Sequence, residues 1–176
     1  MCAAGDYGER PFGLREVKIT PVGVAVVALQ VERVMSFTPR YDTGELEGAD
    51  IITDVASRMI GYDWEIEEGG VPLGLLQGIL GGTLTSSGTT PNQAYYWERG
   101  AAHTALYFKA QGRAIAEDAG DIEVTLYKCK VTGNPEVRME KGNFIVSNLT
   151  GVGIADTATG DKFFTVTQKE TAAAIT

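Results

Sequence analysis

The sequence predicts a mainly β fold: a β-sandwich with one short flanking helix over about residues 72–81 and a long loop inside an early hairpin. Two observations carry this. The chain is rich in strand and turn residues throughout, and only one stretch, "PLGLLQGILGG" from Pro72 to Gly82, has helical spacing. At 176 residues the chain fits a single domain, 1–176, and a hydrophobic content of 44% supports a sizeable core. The ends, about 1–11 and about 170–176, are expected to be flexible.

The elements follow in order. "VGVAVVALQV" (Val22–Val31) is β-branched and continuous, as in a strand buried on both faces. "VERVMSFTP" (Val31–Pro39) reads as a strand that the proline ends, and "RYDTGELEGAD" (Arg40–Asp50) as a polar, acidic loop. "IITDVASRM" (Ile51–Met59) is strand-like, with a turn or bulge at Gly61. "YDWEIEE" (Tyr62–Glu68) alternates: Tyr62, Trp64 and Ile66 point to a core, and Asp63, Glu65 and Glu67 to the other face.

In the helix, Pro72 suits the first turn, Leu73, Leu76, Ile79 and Leu80 share a face, and Gly81 and Gly82 stop it. Gly74 and Gly78 each weaken it by about 1 kcal/mol relative to alanine, so packing must hold it. "TLTSSGTTPNQ" (Thr83–Gln93) reads as a loop or flap. "HTALYFKAQG" (His103–Gly112) then pairs with "DIEVTLYKCKV" (Asp121–Val131), whose apolar phase slips after Leu126 and predicts a bulge. "FIVSNLTGVGIA" (Phe144–Ala155) is a strand with a break at Gly151, and "KFFTVTQK" (Lys162–Lys169) is the last strand.

Composition narrows the chemistry. The net charge of −8 and pI of about 4.7 argue against a surface that grips nucleic acid. Cys2 and Cys129 read as a terminal thiol and a buried one rather than a disulfide. The lone histidine, His103, reads as a strand-end polar residue, not a base or metal ligand. The start lacks a signal peptide's basic and apolar segments, which predicts use without secretion. The carboxylates of Asp63 and Glu65 are spaced by about 7 Å on one strand face. That leaves a small hydrolase open, although a solvated face explains them more simply.

The order of "FGLREVKITP" (Phe12–Pro21), "MSFTPRYDTGELEGAD" (Met35–Asp50) and "YDWEIEEGGVPLGLLQGILGGTLTSSGTTPNQ" (Tyr62–Gln93) resembles the major tail (tail tube) proteins of long, non-contractile-tailed bacteriophages. The likeness covers about half the chain. It implies a tail-tube-type sandwich that assembles into stacked hexameric rings, with neither cofactor nor catalytic residue. Implied partners are further copies of the chain, the tape measure, tail terminator and distal tail proteins, and double-stranded DNA passing through the lumen. The implied location is the virion tail, after synthesis in the host bacterial cytoplasm. The resemblance places Arg40, Tyr41, Asp42, Glu45, Glu47 and Asp50 in a loop reaching the next ring. Asp63, Glu65 and Glu67 become candidate lumen acids, with the loop acids as competitors. The other reading is a carbohydrate- or cell-surface-binding sandwich, for which Tyr95, Tyr96 and Trp97 form the tight aromatic cluster.

Overall fold

The computed structural model describes residues 11–48, 51–116, 120–143 and 145–175. Eleven strands and one helix run in the order β1 (Pro11–Pro21), β2 (Val27–Ala28), β3 (Glu32–Gly48), β4 (Ile51–Gly69), α1 (Leu73–Leu80), β5 (Thr83–Ser87), β6 (Ala94–Glu98), β7 (Phe108–Ala116), β8 (Asp121–Val131), β9 (Glu136–Arg138), β10 (Val146–Gly153) and β11 (Phe164–Lys169). Nine strands form one antiparallel sheet ordered β2-β1-β7-β8-β10-β4-β3, with β11 paired to β8 and β9 to β10. β5 and β6 make a separate hairpin. The chain is thus a mainly β sandwich with one helix.

The large sheet supplies both layers by curling on itself. β8 is the fold line. Its first half pairs with β11, while Cys129–Val131 pair with Gly151–Gly153 of β10. Val17, Ile19, Phe108, Ala110 and Leu126 from one side meet Tyr62, Trp64, Ile66 and Leu149 from the other. Trp64 stands edge-on to Phe108 with centroids 5.2 Å apart, and Phe37 packs on Phe164 at 4.7 Å.

The alternation of β4 holds as read. Tyr62, Trp64 and Ile66 are buried, while Asp63, Glu65 and Glu67 lie half-buried on the other face. The same parity puts Glu68 on the core side, where its Oε1 accepts from the N–H groups of Gln30 and Val31, each at 3.1 Å. The bulge in β8 also holds, since the register slips between Phe108↔Cys129 and Ala110↔Leu126. Cys129 is buried, and burial pushes its thiol pKa up to about 12.

Several expectations change. Val22–Val31 is not one buried strand. The chain turns after Pro21, Val22 and Val26 are exposed, and only Val27–Ala28 pair back onto β1. Pro39 does not end β3, which is the last strand in the sheet order and tolerates a residue without an N–H on its edge. Arg40–Gly48 is strand rather than loop, paired along β4, and Ile60 bulges between the pairs Arg40↔Gly61 and Tyr41↔Met59. Thr83–Gln93 supplies β5 and the turn into β6. β7 begins at Phe108, not His103, and runs on to Ala116. His103 sits in a turn, where its Nδ1 accepts the Gly100 N–H at 3.0 Å.

β10 runs through Gly151 without a break, because its glycines make room for aromatic rings on β4. A Cβ at Gly151 would lie 2.5 Å from Trp64 Cζ2, and one at Gly153 would lie 1.9 Å from Tyr62 Cζ. Gly151 pairs with Trp64 and Gly153 with Tyr62, so each ring lies over the glycine opposite it.

The helix forms where expected but turns a slightly different face inward. Leu75, Leu76, Ile79 and Leu80 are buried, whereas Leu73 is only half-buried. The reason is its length. Eight residues make about two turns, and the C-terminal turn packs deepest, against β1, β5 and β6. Gly81 closes it with φ 74° and an N–H bonded to Gln77 O at 3.0 Å.

The last segment, expected to be a loose tail, docks instead. Ile175 is 2% exposed, the Ala173 N–H donates to Asp121 Oδ2 at 2.9 Å, and the Ile175 N–H donates to Glu16 Oε2 at 3.3 Å. Its main-chain donors find two carboxylates, the buried Asp121 and the half-buried Glu16, which offset the entropy of ordering it. The expected flexible start, through residue 10, lies outside the described residues.

Candidate assembly surface

The most distinctive surface is an arm made by the distal halves of β3 and β4. Beyond the Ile60 bulge the two strands pair from Tyr41↔Met59 to Gly48↔Ile51. Seven to eight residues at about 3.3 Å each give a projection of roughly 25 Å. Residues 40–46 and 54–58 are exposed on both faces, so the arm has no core of its own. Opposite residues share a face. One face carries Tyr41, Thr43 and Glu45 with Val55, Ser57 and Met59, and continues the core side of β4. The other carries Asp42, Gly44 and Leu46 with Asp54, Ala56 and Arg58. Tyr41, Leu46 and Val55 are each more than half exposed.

Of the residues assigned by resemblance to an inter-ring loop, Arg40 lies at the root of the arm, and Tyr41, Asp42 and Glu45 lie along it. Glu47 pairs opposite Ile52, with its side chain outside the described set, and Asp50 lies outside the described residues. Arg40 faces back toward the sandwich. Its Nε and Nη2 reach the two oxygens of Asp63 at 2.6 and 2.5 Å. That hydrogen bond raises the already high pKa of Arg40.

The acids of β4 do share one face, but as partnered groups. Asp63 is held by Arg40, Glu65 accepts from Asn148 Nδ2 at 2.9 Å, and Glu67 pairs with Arg33 at 3.0 Å. Against three acids stand two arginines, so the local field is weaker than the sequence row suggests. Beside them lies a groove of about 340 Å³ lined by Ser36, Thr38, Asp63, Glu65, Thr132 and Thr150. A second, of about 490 Å³, lies between Arg33, Glu67, Glu136, Arg138 and Glu140.

The aromatic trio does not form one patch. Tyr95 and Tyr96 are exposed, but neighbours on a strand face opposite ways. Trp97 packs against the core, and its Nε1–H donates to Gly81 O at 3.1 Å. Arg99 Nε donates to Leu80 O at 3.1 Å. These bonds satisfy carbonyls at the open end of the helix, so Trp97 is first of all a helix anchor.

The outer face of β1, β7, β8 and β11 carries a charged ladder that the sequence reading did not assemble. Register places Glu16 beside Arg113 and Arg113 beside Glu123, with Lys169 beside Asp121. Arg113 reaches Glu16 at 3.0 Å and Asp121 at 3.7 Å, and Lys169 reaches Glu123 at 2.7 Å. Burial pushes the Glu123 pKa up, but hydrogen bonds from Lys169 and Gln111 outweigh it and leave it lowered. A lowered folded value means that this contribution to stability is present above the ordinary carboxylate range and is lost as pH falls through it. Polar and charged residues at every second position, Glu16 and Lys18, Gln111 and Arg113, Asp121 and Glu123, were the available signal.

Compared with known proteins, the chain matches no protein-family model and no curated protein significantly.

Proposed function

We propose that this chain is the subunit of a phage-type tail tube, a structural protein that stacks as rings around a conduit for genome delivery. The observation that carries the proposal is the arm: a two-stranded ribbon exposed on both faces, with Tyr41, Leu46 and Val55 open to solvent. Such a ribbon is marginal by itself and gains order by lying against another molecule. The order of sequence motifs supports the same reading. A second support is the outer edge of β3, the last strand in the sheet order, whose N–H and C=O groups suit pairing with a neighbouring copy. In this reading Asp63, Glu65 and Glu67 face the lumen as a row tempered by arginine, and repel DNA phosphates weakly. The arm acids Asp42 and Glu45 contribute to stacking.

Negative-stain microscopy of the purified full chain over a concentration series is the test. Rings or hollow tubes of constant width are expected. A monomer at every concentration that also retains a glycan on an array would overturn the proposal in favour of the surface-binding reading. The split of Tyr95 and Tyr96 to opposite faces of β6 weighs against that reading, because a sugar platform needs rings on one face.

A further inference from the structure

We propose that the bulge in β8 builds an oxyanion site on the outer face of the sheet, where Lys109, Lys128 and Lys130 gather around Tyr107 and hold a phosphate group, inorganic or on a phosphomonoester. The site is independent of the tail-tube reading and uses no contact between copies.

The bulge sets which way the lysines point. Leu126 faces the core, and in an unbroken strand Lys128 and Lys130 would follow it inward. The slip between Phe108↔Cys129 and Ala110↔Leu126 brings Cys129 and Val131 into the core instead and turns both lysines out. Their Nζ atoms lie 5.7 Å and 4.9 Å from the centre of the Tyr107 ring. Lys109 stands between the buried Phe108 and Ala110, so it projects to the same face, opposite the bulge. Lys128 takes φ 47°, in the left-handed region that glycine adopts freely and a longer side chain disfavours. A bulge needed only to bend the strand would be better served by glycine there. A lysine held in that conformation points to a use for its ammonium group.

The cluster lacks a counter-charge. Among the described residues none of these three lysines forms an ion pair, although the chain carries a net charge of −8. The acids of the neighbouring ladder are engaged further along the face, Glu123 with Lys169 and Gln111, and Glu16 with Arg113. The Tyr107 ring attracts the ammonium groups but does not neutralise them. It is 37% exposed, so the cluster is open to a ligand. An ammonium group only donates hydrogen bonds, so the ligand must supply acceptors. A phosphomonoester brings about −1.5 to −2 charge and three acceptor oxygens, one for each lysine. A carboxylate or a phosphodiester brings one charge and two such oxygens, and leaves one ammonium unmet.

The test is isothermal titration calorimetry of the full chain at low salt with inorganic phosphate, phenyl phosphate, succinate and a short oligothymidylate without terminal phosphates. Both phosphates should bind saturably at millimolar concentration or below, and succinate and the oligothymidylate at least about tenfold more weakly. Tighter binding of phenyl phosphate assigns the site to a phosphorylated organic ligand. Equal or tighter binding of inorganic phosphate assigns it to the free ion. Lys128→Gly should weaken phosphate binding at least about tenfold while Tm holds or rises, because relief of the backbone offsets a freer unfolded chain. Lys130→Gln should lose binding to the same degree, and it decides if Lys128→Gly does not fold. Lys141→Gln, at an exposed lysine in the turn before β10, should leave binding unchanged. No saturable phosphate binding, succinate or oligothymidylate binding as tightly as phosphate, or binding that neither cluster variant weakens overturns the proposal.

Discussion

At the scale of single residues, the fold depends on small residues set opposite large ones. Tyr62 is wholly buried, stands edge-on to Phe164, and its hydroxyl lies 3.3 Å from Cys129 Sγ while donating to Tyr127 O. Burial raises the Tyr62 pKa far above the ordinary phenol range, so the ring is neutral wherever the chain is folded. That ring is possible only because Gly153 across the ladder has no side chain. Gly153→Ala is predicted to destabilise by about 1–3 kcal/mol through overpacking. That is roughly a 3–10 °C drop in Tm for a domain of this size. Thermal melts of Gly153→Ala, Tyr62→Leu and the double variant check it. The pair should be non-additive, with Tyr62→Leu absorbing part of the alanine's cost. Additive losses would mean that the two residues do not share this space.

At the scale of elements, α1 and the β5–β6 hairpin form one unit. The helix lacks a side-chain N-cap and carries two internal glycines, so its intrinsic stability is poor. Leu75, Leu76, Ile79 and Leu80 supply packing, and Trp97 and Arg99 supply donors to its last carbonyls. Leu76→Asp is expected to abolish soluble folding by burying an unpaired charge, whereas Gln77→Lys on the half-buried side leaves expression and Tm near the original. Trp97→Phe keeps an aromatic ring but loses one donor and part of the packed volume, at about 1–2 kcal/mol in chemical denaturation. The sequence made the helix legible because its period, its proline and its glycines agree. It did not make the hairpin legible. "TLTSSGTTPNQ" offers only Leu84 as an apolar residue, and its strand pairs through backbone to "AYYWE", whose own alternation is obscured by three adjacent rings. The same limit applies to the charged ladder. Register between distant strands, which no single run encodes, puts Glu16, Arg113 and Glu123 side by side.

At the scale of the whole molecule, one curled sheet closes a core at its centre and leaves its last pair of strands free to run outward. Alternation revealed the proximal half of β4, where a core imposes it. The distal half of β3, from Arg40, reads as loop because its described residues are exposed and polar residues occupy both faces, although its partner Ile51–Met59 reads as strand. That contrast predicts separable roles. Replacing residues 42–58 by a two-residue turn removes residues that are exposed wherever their burial is described, 42–46 and 54–58, so the sandwich should melt within about 2–3 °C of the full chain. Light scattering and microscopy should show the change instead, with stacked tubes lost while isolated rings or monomers remain. The milder double change Tyr41→Ser and Leu46→Ser, one residue from each face, should lengthen the lag before tubes form and leave Tm unaltered, since both side chains are solvent-exposed in the single chain. If the shortened chain still stacks at the original concentration, ring contact lies elsewhere and the free edge of β3 becomes the first place to look. If instead it loses more than about 10 °C of Tm, the arm supports the core, and the Ile60 bulge is a structural corner rather than the start of a projecting contact.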